Sequence, residues 1–470
     1  MINSKTNIRS GLLLLGVAGL LSKSYGADTT APVISGPPAG QLPVWMTDLG
    51  IGLKESYDDN VMLVSGDSEH LQESWVTTVS PKIGFNFAPL VGQTNMLQTL
   101  SLVYSPDFAF YHEKPDENYN AHRIGNTLKG KSGDFSYSLD NAFLYNDGSK
   151  VAPDYAESQF GGSANQLDKN RSSFATAAPR ERRDQIQDRS AAIFQYNVNK
   201  FFVRPASSLL YYNLLTDWHN ASAAPYMGYQ NYVDRTDVNG GTDLGYKVTF
   251  DLAVTLGYRY GYQYQQALPH SIDTLQVNGQ QAQSSSDYQR ILLGIEGKPV
   301  KWLNVKLVGG PDFRSYNDAA PVNDDHPVTR YCEGLITATI TPNQNLTFTT
   351  KQWQWVSSTG KLPYFDSSYA LNYHWKATSK LGLDLGGKFL EADYDCGSPT
   401  KSLNQSLRND AEYIVSVGVG YAFTPHLSAS LAYEYDFGRN LQNLPASLAS
   451  SAAYRQFNNQ LVTLGMLYKF

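Results

Sequence analysis

Charged side chains in this 470-residue chain recur between aromatic and aliphatic ones at a spacing of two. Arg259 sits between Tyr258 and Tyr260, and Glu434 between Tyr433 and Tyr435. In an extended strand successive side chains point to opposite faces, so ionic groups fall on one side and greasy groups on the other. Following that alternation, the polar side carries the bases Lys54, Lys82, Arg189, Lys247, Arg259, Arg290, Lys298, Lys306, Arg314, Lys376 and Lys388. The acids on it are Asp107, Asp140, Glu296, Asp312, Asp384, Glu434 and Asp436, and His374 joins them. Charges along a wet face act electrostatically, by biasing which ions pass. The bases outnumber the acids, although the whole chain has 37 Lys and Arg against 43 Asp and Glu, a net charge of −6. Two readings stay open: a lean towards anionic solutes, and charges that only solvate a wall.

Covalent chemistry has no comparable signal. No Gly-x-Ser-x-Gly elbow, no His-Glu-x-x-His zinc site and no phosphate-cradling Gly-rich loop occurs. His112 beside Glu113, and His326 beside Asp324 and Asp325, are the nearest approach to catalytic pairs. We expect no enzyme, no cofactor and no metal. The acidic balance offers nucleic acid no basic surface. Cys332 and Cys396 are the two cysteines, too few for a zinc or disulfide framework; whether they pair stays open.

The elements that carry these charges are long strands. Leu252, Val254, Leu256, Tyr258, Tyr260, Tyr262 and Tyr264 form one face and Ala253, Thr255, Gly257, Arg259, Gly261 and Gln263 the other. The pattern recurs over 135–145, 369–376, 413–423 and 427–437. Strands of soluble proteins average five or six residues. These run from nine to fifteen, the length a tilted strand needs to cross a bilayer. Aromatics crowd the strand ends as interfacial girdles do. The apolar face therefore meets lipid and the polar face encloses water: an all-β, antiparallel, up-and-down transmembrane β-barrel. Charged residues make up 17% and aromatics 13% of the chain, in keeping with that reading.

Turn residues divide the chain into eighteen expected strands, from 47–57 to 456–470, with sixteen as the alternative, since 119–131 and 229–249 alternate weakly. Around Lys351 to Trp355 the alternation slips by one residue, which reads as a bulge. Short connections alternate with long ones. This makes the strand number even and puts both ends of the barrel on the periplasmic side. Residues 1–26 read as a signal peptide, with Lys5 and Arg9 ahead of an uncharged Leu-rich core. Residues 27–46 read as a Pro-rich periplasmic leader, and 47–470 as the barrel.

The last strand, ending Leu464-Gly465-Met466-Leu467-Tyr468-Lys469-Phe470, carries an apolar stripe to a terminal Phe. It resembles the carboxy-terminal assembly signal of Gram-negative outer-membrane proteins, with Tyr468 and Phe470 as the residues read by the barrel-assembly machinery. The stretch Gly52-Leu53-Lys54-Glu55-Ser56-Tyr57-Asp58-Asp59-Asn60-Val61 and the later Leu256-Gly257-Tyr258-Arg259-Tyr260 resemble the family called putative β-barrel porin type two. That resemblance implies a porin-like channel in the outer membrane, with lipid around it and small hydrophilic solutes as cargo. In general porins the third outer loop folds into the barrel. By that resemblance 147–185 is a constriction, with Asp154, Glu157, Arg171, Arg180, Arg182 and Arg183 as the facing charges; a solvated surface loop is the alternative. A polysaccharide export channel and a structural or adhesive barrel with a blocked lumen are the competing functions. Homo-oligomerisation leaves no readable mark.

Overall fold

The computed structural model describes residues 42–61, 73–92, 96–149, 183–215, 218, 231–272, 276–277, 279–357, 362–394, 409–441 and 457–470. The expected signal peptide and most of the leader lie outside these residues. So do Asp154, Glu157, Arg171, Arg180, Arg182 and the side chain of Arg183.

Nineteen strand segments form one closed sheet. Two of them are halves of one interrupted strand, so the barrel has eighteen. We number them β1 Met46–Asp58, β2 Ser74–Asn86, β3 Thr99–Tyr104 with Asp107–Tyr111, β4 Tyr119–Ser132, β5 Phe135–Ser149, β6 Arg183–Val198, β7 Phe201–Asn213, β8 Arg235–Lys247, β9 Leu252–Gln265, β10 Ser286–Val300, β11 Leu303–Tyr316, β12 Val328–Thr341, β13 Gln344–Val356, β14 Pro363–Lys376, β15 Leu381–Asp393, β16 Asn409–Ala422, β17 Leu427–Asn440 and β18 Phe457–Lys469. The sixteen-strand alternative is excluded. Every strand pairs antiparallel with its chain neighbours, and β1 closes on β18 from Gly50↔Lys469 to Asp58↔Leu461. Closure leaves no open edge, as a medium without hydrogen bonds requires.

The details differ from the sequence reading at three places. β3 breaks at Ser105-Pro106, where proline has no N–H to give the ladder. The strands expected at 201–218 and 229–249 are shorter, and 214–234 connects them at the long-loop end. At Lys351 to Trp355 there is no bulge: β13 pairs with β14 without a register shift. The hairpin leaves the wall instead, as described below.

At the short-turn end, Gly133 and Asn199 take positive φ (57° and 54°), the left-handed conformation that Gly and Asn adopt most easily. Both β1 and β18 terminate at this end, which faces the periplasm in barrels of this kind.

Candidate functional site

Exposure separates the two faces of the wall. Leu256 is 49% exposed, Leu293 69%, Val415 56%, Leu431 51% and Leu464 56%, whereas Gln263, Arg290, Asp312 and Arg314 lie at 3% or less. Large apolar side chains stand outside and polar ones inside, the inverse of a water-soluble protein. Register fixes each wall residue. Arg259 is paired with Arg290 and Arg290 with Asp312, so all three share the inner face. Likewise Glu296 is paired with Lys306, and Asp384 with His374. Lys82, Asp140, Arg189, Lys247, Lys376, Glu434 and Asp436 fall on the same inner face by the registers of their strands.

Most of these charges have partners beside them. Towards the short-turn end, Arg204 donates Nη1 and Nη2 to Glu296 at 2.7 and 2.9 Å, and Nε to Asp243 at 3.0 Å. Arg259 reaches the other oxygen of Asp243 at 2.7 Å. Lys82 lies 3.3 Å from Asp48, Lys129 3.5 Å from Asp140, and Arg123 3.0 Å from Asp107. His374 Nδ1 is 2.7 Å from Asp384. Of the bases expected on the lumen face, Lys82 and Arg259 are thus set against carboxylates, as are Arg290 and Arg314.

Towards the long-loop end the inner face of β8 to β12 carries closely packed charges and rings. Arg290 Nε and Arg314 Nη2 both donate to Asp312 Oδ2, at 2.8 and 3.1 Å. The Arg290 guanidinium lies over the rings of Tyr288 and Tyr331, 3.9 and 4.2 Å from their centroids. Tyr288 donates to both oxygens of Asp237 at 3.0 Å, and Tyr331 donates to Glu333. Just outside β8, burial lifts the Asp234 carboxyl above its usual range, although the N–H of Leu214 donates to it at 2.9 Å.

The narrowing itself comes from the β13–β14 hairpin. β12 and β13 pair from Thr341↔Gln344 to Cys332↔Gln352 and then part. β12 continues upward against β11, as far as Val328↔Phe313. β13 continues against β14, as far as Val356↔Pro363. The freed edge of β13 turns into the barrel. Trp353, Gln354, Trp355, Val356 and Ser357 are all fully buried, so both faces of the strand are covered. A backbone edge released from a sheet still needs partners, and the wall strands β8, β9 and β11 supply them. The carbonyl of Gln354 accepts from Arg314 Nη2 and Gln263 Nε2, each at 3.0 Å. The carbonyl of Val356 accepts from Arg235 Nη1 at 3.0 Å, and that of Ser357 from Gln265 Nε2 at 2.6 Å. Trp353 and Trp355 stack at 4.4 Å. Trp353 Nε1 donates to Asp366 at 3.1 Å, Lys351 Nζ lies 3.4 Å from the Trp353 ring centroid, and Arg235 lies over Trp355 and Tyr212.

This places several residues in the site that the alternation alone did not single out: Arg204, Arg235, Asp237, Asp243, Glu333, Lys351, Trp353, Trp355 and Asp366. The phase slip at Lys351 to Trp355 was the sequence signal for the last group. The buried charges around the hairpin hold as many acids (Asp237, Asp312, Glu333, Asp366) as bases (Arg235, Arg290, Arg314, Lys351). Cys332, at the last paired rung below the parting, is a free thiol; Cys396 lies outside the described residues. Among the described residues no group of three His, Cys, Asp or Glu is gathered as metal ligands would be.

An apolar exterior closed on itself around a polar interior defines an outer-membrane β-barrel of the Gram-negative kind. No family model and no curated protein matches the chain. Among solved structures it is similar to the outer membrane protein OpdK of Pseudomonas aeruginosa, at 10% identity and a TM-score of 0.40, over 90% of this chain and 99% of that one. It is similar to OpdO of the same organism at 9% identity and a TM-score of 0.40, over 90% and 96%. The siderophore receptor PirA of Acinetobacter baumannii matches at 9% identity and a TM-score of 0.40, over 90% and 81%. Likenesses this distant carry no inference about what this chain does.

Proposed function

We propose that the protein is an outer-membrane channel for small hydrophilic solutes, admitting them by diffusion through a lumen narrowed by its own β13–β14 hairpin. The observation that supports this most is the inner wall. From β1 round to β18 its described positions carry charges, amides, hydroxyls and glycines, with buried apolar side chains such as Phe202, Leu210, Leu292 and Leu390 among them, and eighteen strands enclose a bore wide enough for water unless something fills it. The hairpin fills part of it, on the long-loop side. Carboxylates offset Lys82, Arg259, Arg290 and Arg314, so the anion lean is smaller than the count of bases alone implies.

Single-channel recording of the refolded protein in a planar bilayer tests the reading. Discrete conductance steps are expected, with a slight anion-sided reversal potential in a salt gradient and exclusion of neutral polymers above a sharp size. A strongly cation-selective channel would overturn the ion lean, and the absence of steps would overturn the channel. One observation favours a second reading. The hairpin is buried on both faces and bonded to β8, β9 and β11, so the same recording would show no conductance if the barrel is a closed structural one.

A further inference from the structure

The outer face of the barrel is not uniformly greasy. On β16, β17 and β18 the outward positions that cross the membrane are Val415, Val417, Leu431, Tyr433, Leu464 and Met466. On β4 to β7 the outward positions include Asn126, Asn141, Asp188, Ser190 and Ser207. Each is flanked along its own strand by apolar outward residues. Asn126 lies between Ile124 and Leu128, and Asn141 between Leu139 and Phe143. Asp188 and Ser190 lie between Ile186 and Ala192, and Ser207 between Pro205 and Leu209. The row runs from β4 to β8, because Asn126 is paired with Asn141, Asn141 with Ser190, and Ser207 with Ala192, the next outward residue after Ser190, and with Gly240 of β8.

The row is hydrogen-bonded within itself. Asn126 Nδ2 donates to Asn141 Oδ1 at 3.2 Å. Asn141 Nδ2 donates to both oxygens of Asp188 at 3.0 and 3.1 Å and reaches Ser190 Oγ at 2.9 Å. Ser190 donates to Asp188 at 2.7 Å. These bonds orient the carboxylate and carboxamides; they do not remove a charge from hydrocarbon, where acyl chains give it nothing. Gly240 has no side chain, yet a Cβ there would meet only ordinary contacts, 3.7 Å from Ser207 Cβ and 3.9 Å from Ala206 O. The packing of the barrel therefore does not demand glycine, whereas close approach from outside does.

We infer that this face, β4 to β8, is where a second copy of the same chain docks in the plane of the membrane. The face is self-complementary. It presents amide and hydroxyl donors beside carboxylate and carboxamide acceptors. An isologous two-fold contact sets the donors of one copy against the acceptors of the other, and Asp188 then meets carboxamides in place of lipid. Small residues at Ser207, Gly240 and Ala192 let the two walls come close. The pairing is independent of whether the lumen conducts.

Light scattering of the full-length mature protein in mild detergent should give twice the mass of one barrel. The double variant Asn141→Leu with Asp188→Leu should give one barrel mass, while Leu464→Ala on the opposite face should leave the mass doubled. A heat-dependent gel shift checks that each variant is folded. Independently, Ser207→Cys, in a chain with Cys332→Ser and Cys396→Ser, should cross-link to itself in intact outer membranes. A single-barrel mass for the unaltered protein, a leucine variant that stays double, or a Ser207→Cys adduct with a different protein would each overturn the proposal. So would no cross-link, and that result decides if the leucine variant does not fold.

Discussion

Two seams of this barrel behave differently. Where β1 meets β18, pairing runs from Gly50↔Lys469 to Asp58↔Leu461, through to the end of β1. Where β12 meets β13, pairing stops at Cys332↔Gln352, and each strand goes on with its other neighbour alone. Both seams pair over the nine or ten residues that a tilted strand needs to cross hydrocarbon, the second with one register shift between Thr339 and Thr341. Above that depth lipid no longer enforces closure. The free edge of β13 then becomes a resource, satisfied by Arg314, Gln263, Arg235 and Gln265 of β11, β9 and β8. A barrel wall can thus be a strict closed sheet and the source of its own constriction, at different heights.

Breaking the contrast at the open seam should have the largest effect. Replacing 353–364 by a two-residue Asn-Gly turn should raise single-channel conductance about two-fold or more, since a bore of this strand number is wide once cleared. Unchanged conductance would show that the hairpin does not set the pore. Next in size is Arg314→Met. It removes the bonds to Asp312, Gln263 and the Gln354 carbonyl, and breaking a buried, bonded charge pair costs about 3 to 5 kcal/mol. Urea unfolding in micelles followed by tryptophan fluorescence would measure it. Adding Asp312→Leu should deepen the loss, because Arg290, the other donor to that carboxylate, is then left buried without it. Smaller again, Trp355→Leu keeps an apolar group but loses the stack on Trp353 and the Arg235 contact, about 1 to 3 kcal/mol. The same unfolding curve reads that change, with near-ultraviolet circular dichroism reporting the lost indole pair. At the intact seam, Ser56→Ala removes only the 2.9 Å bond to Thr463. It should shift stability by no more than about 1 kcal/mol and leave conductance untouched; a change in conductance there would erase the distinction between the seams.

The difference also explains what could be read from the chain. A period of two is a local signal, so β9, β16 and β17 were legible with their faces, and so was the even strand count. Arg259, Arg290, Arg314, Glu296 and Lys306 could be put on the inner face for the same reason. Their pairing could not. Arg204 meets Glu296 across 92 positions of sequence, and no spacing rule reports that. The slip at Lys351 to Trp355 was visible, but its cause depends on Arg235, Gln263 and Arg314, which lie far away in sequence. Arg235 opens a strand whose alternation is broken by Asn239, Gly240 and Gly241, which hid it further. Constriction was looked for in 147–185, of which only the first three and last three positions are described.

All strand pairings described here join chain neighbours except one. The rung that ties Ser56 to Thr463 spans 407 positions. Hairpins can zip in order at small entropic cost, but the final rung must tie one long ring, at about 5 kcal/mol by a logarithmic loop estimate. Ring completion is therefore a single late event, and it waits on the last strand. A chain cut short before β18 would hold seventeen zipped strands with two raw borders, a shape that proteases and the insertion apparatus can tell from a finished one.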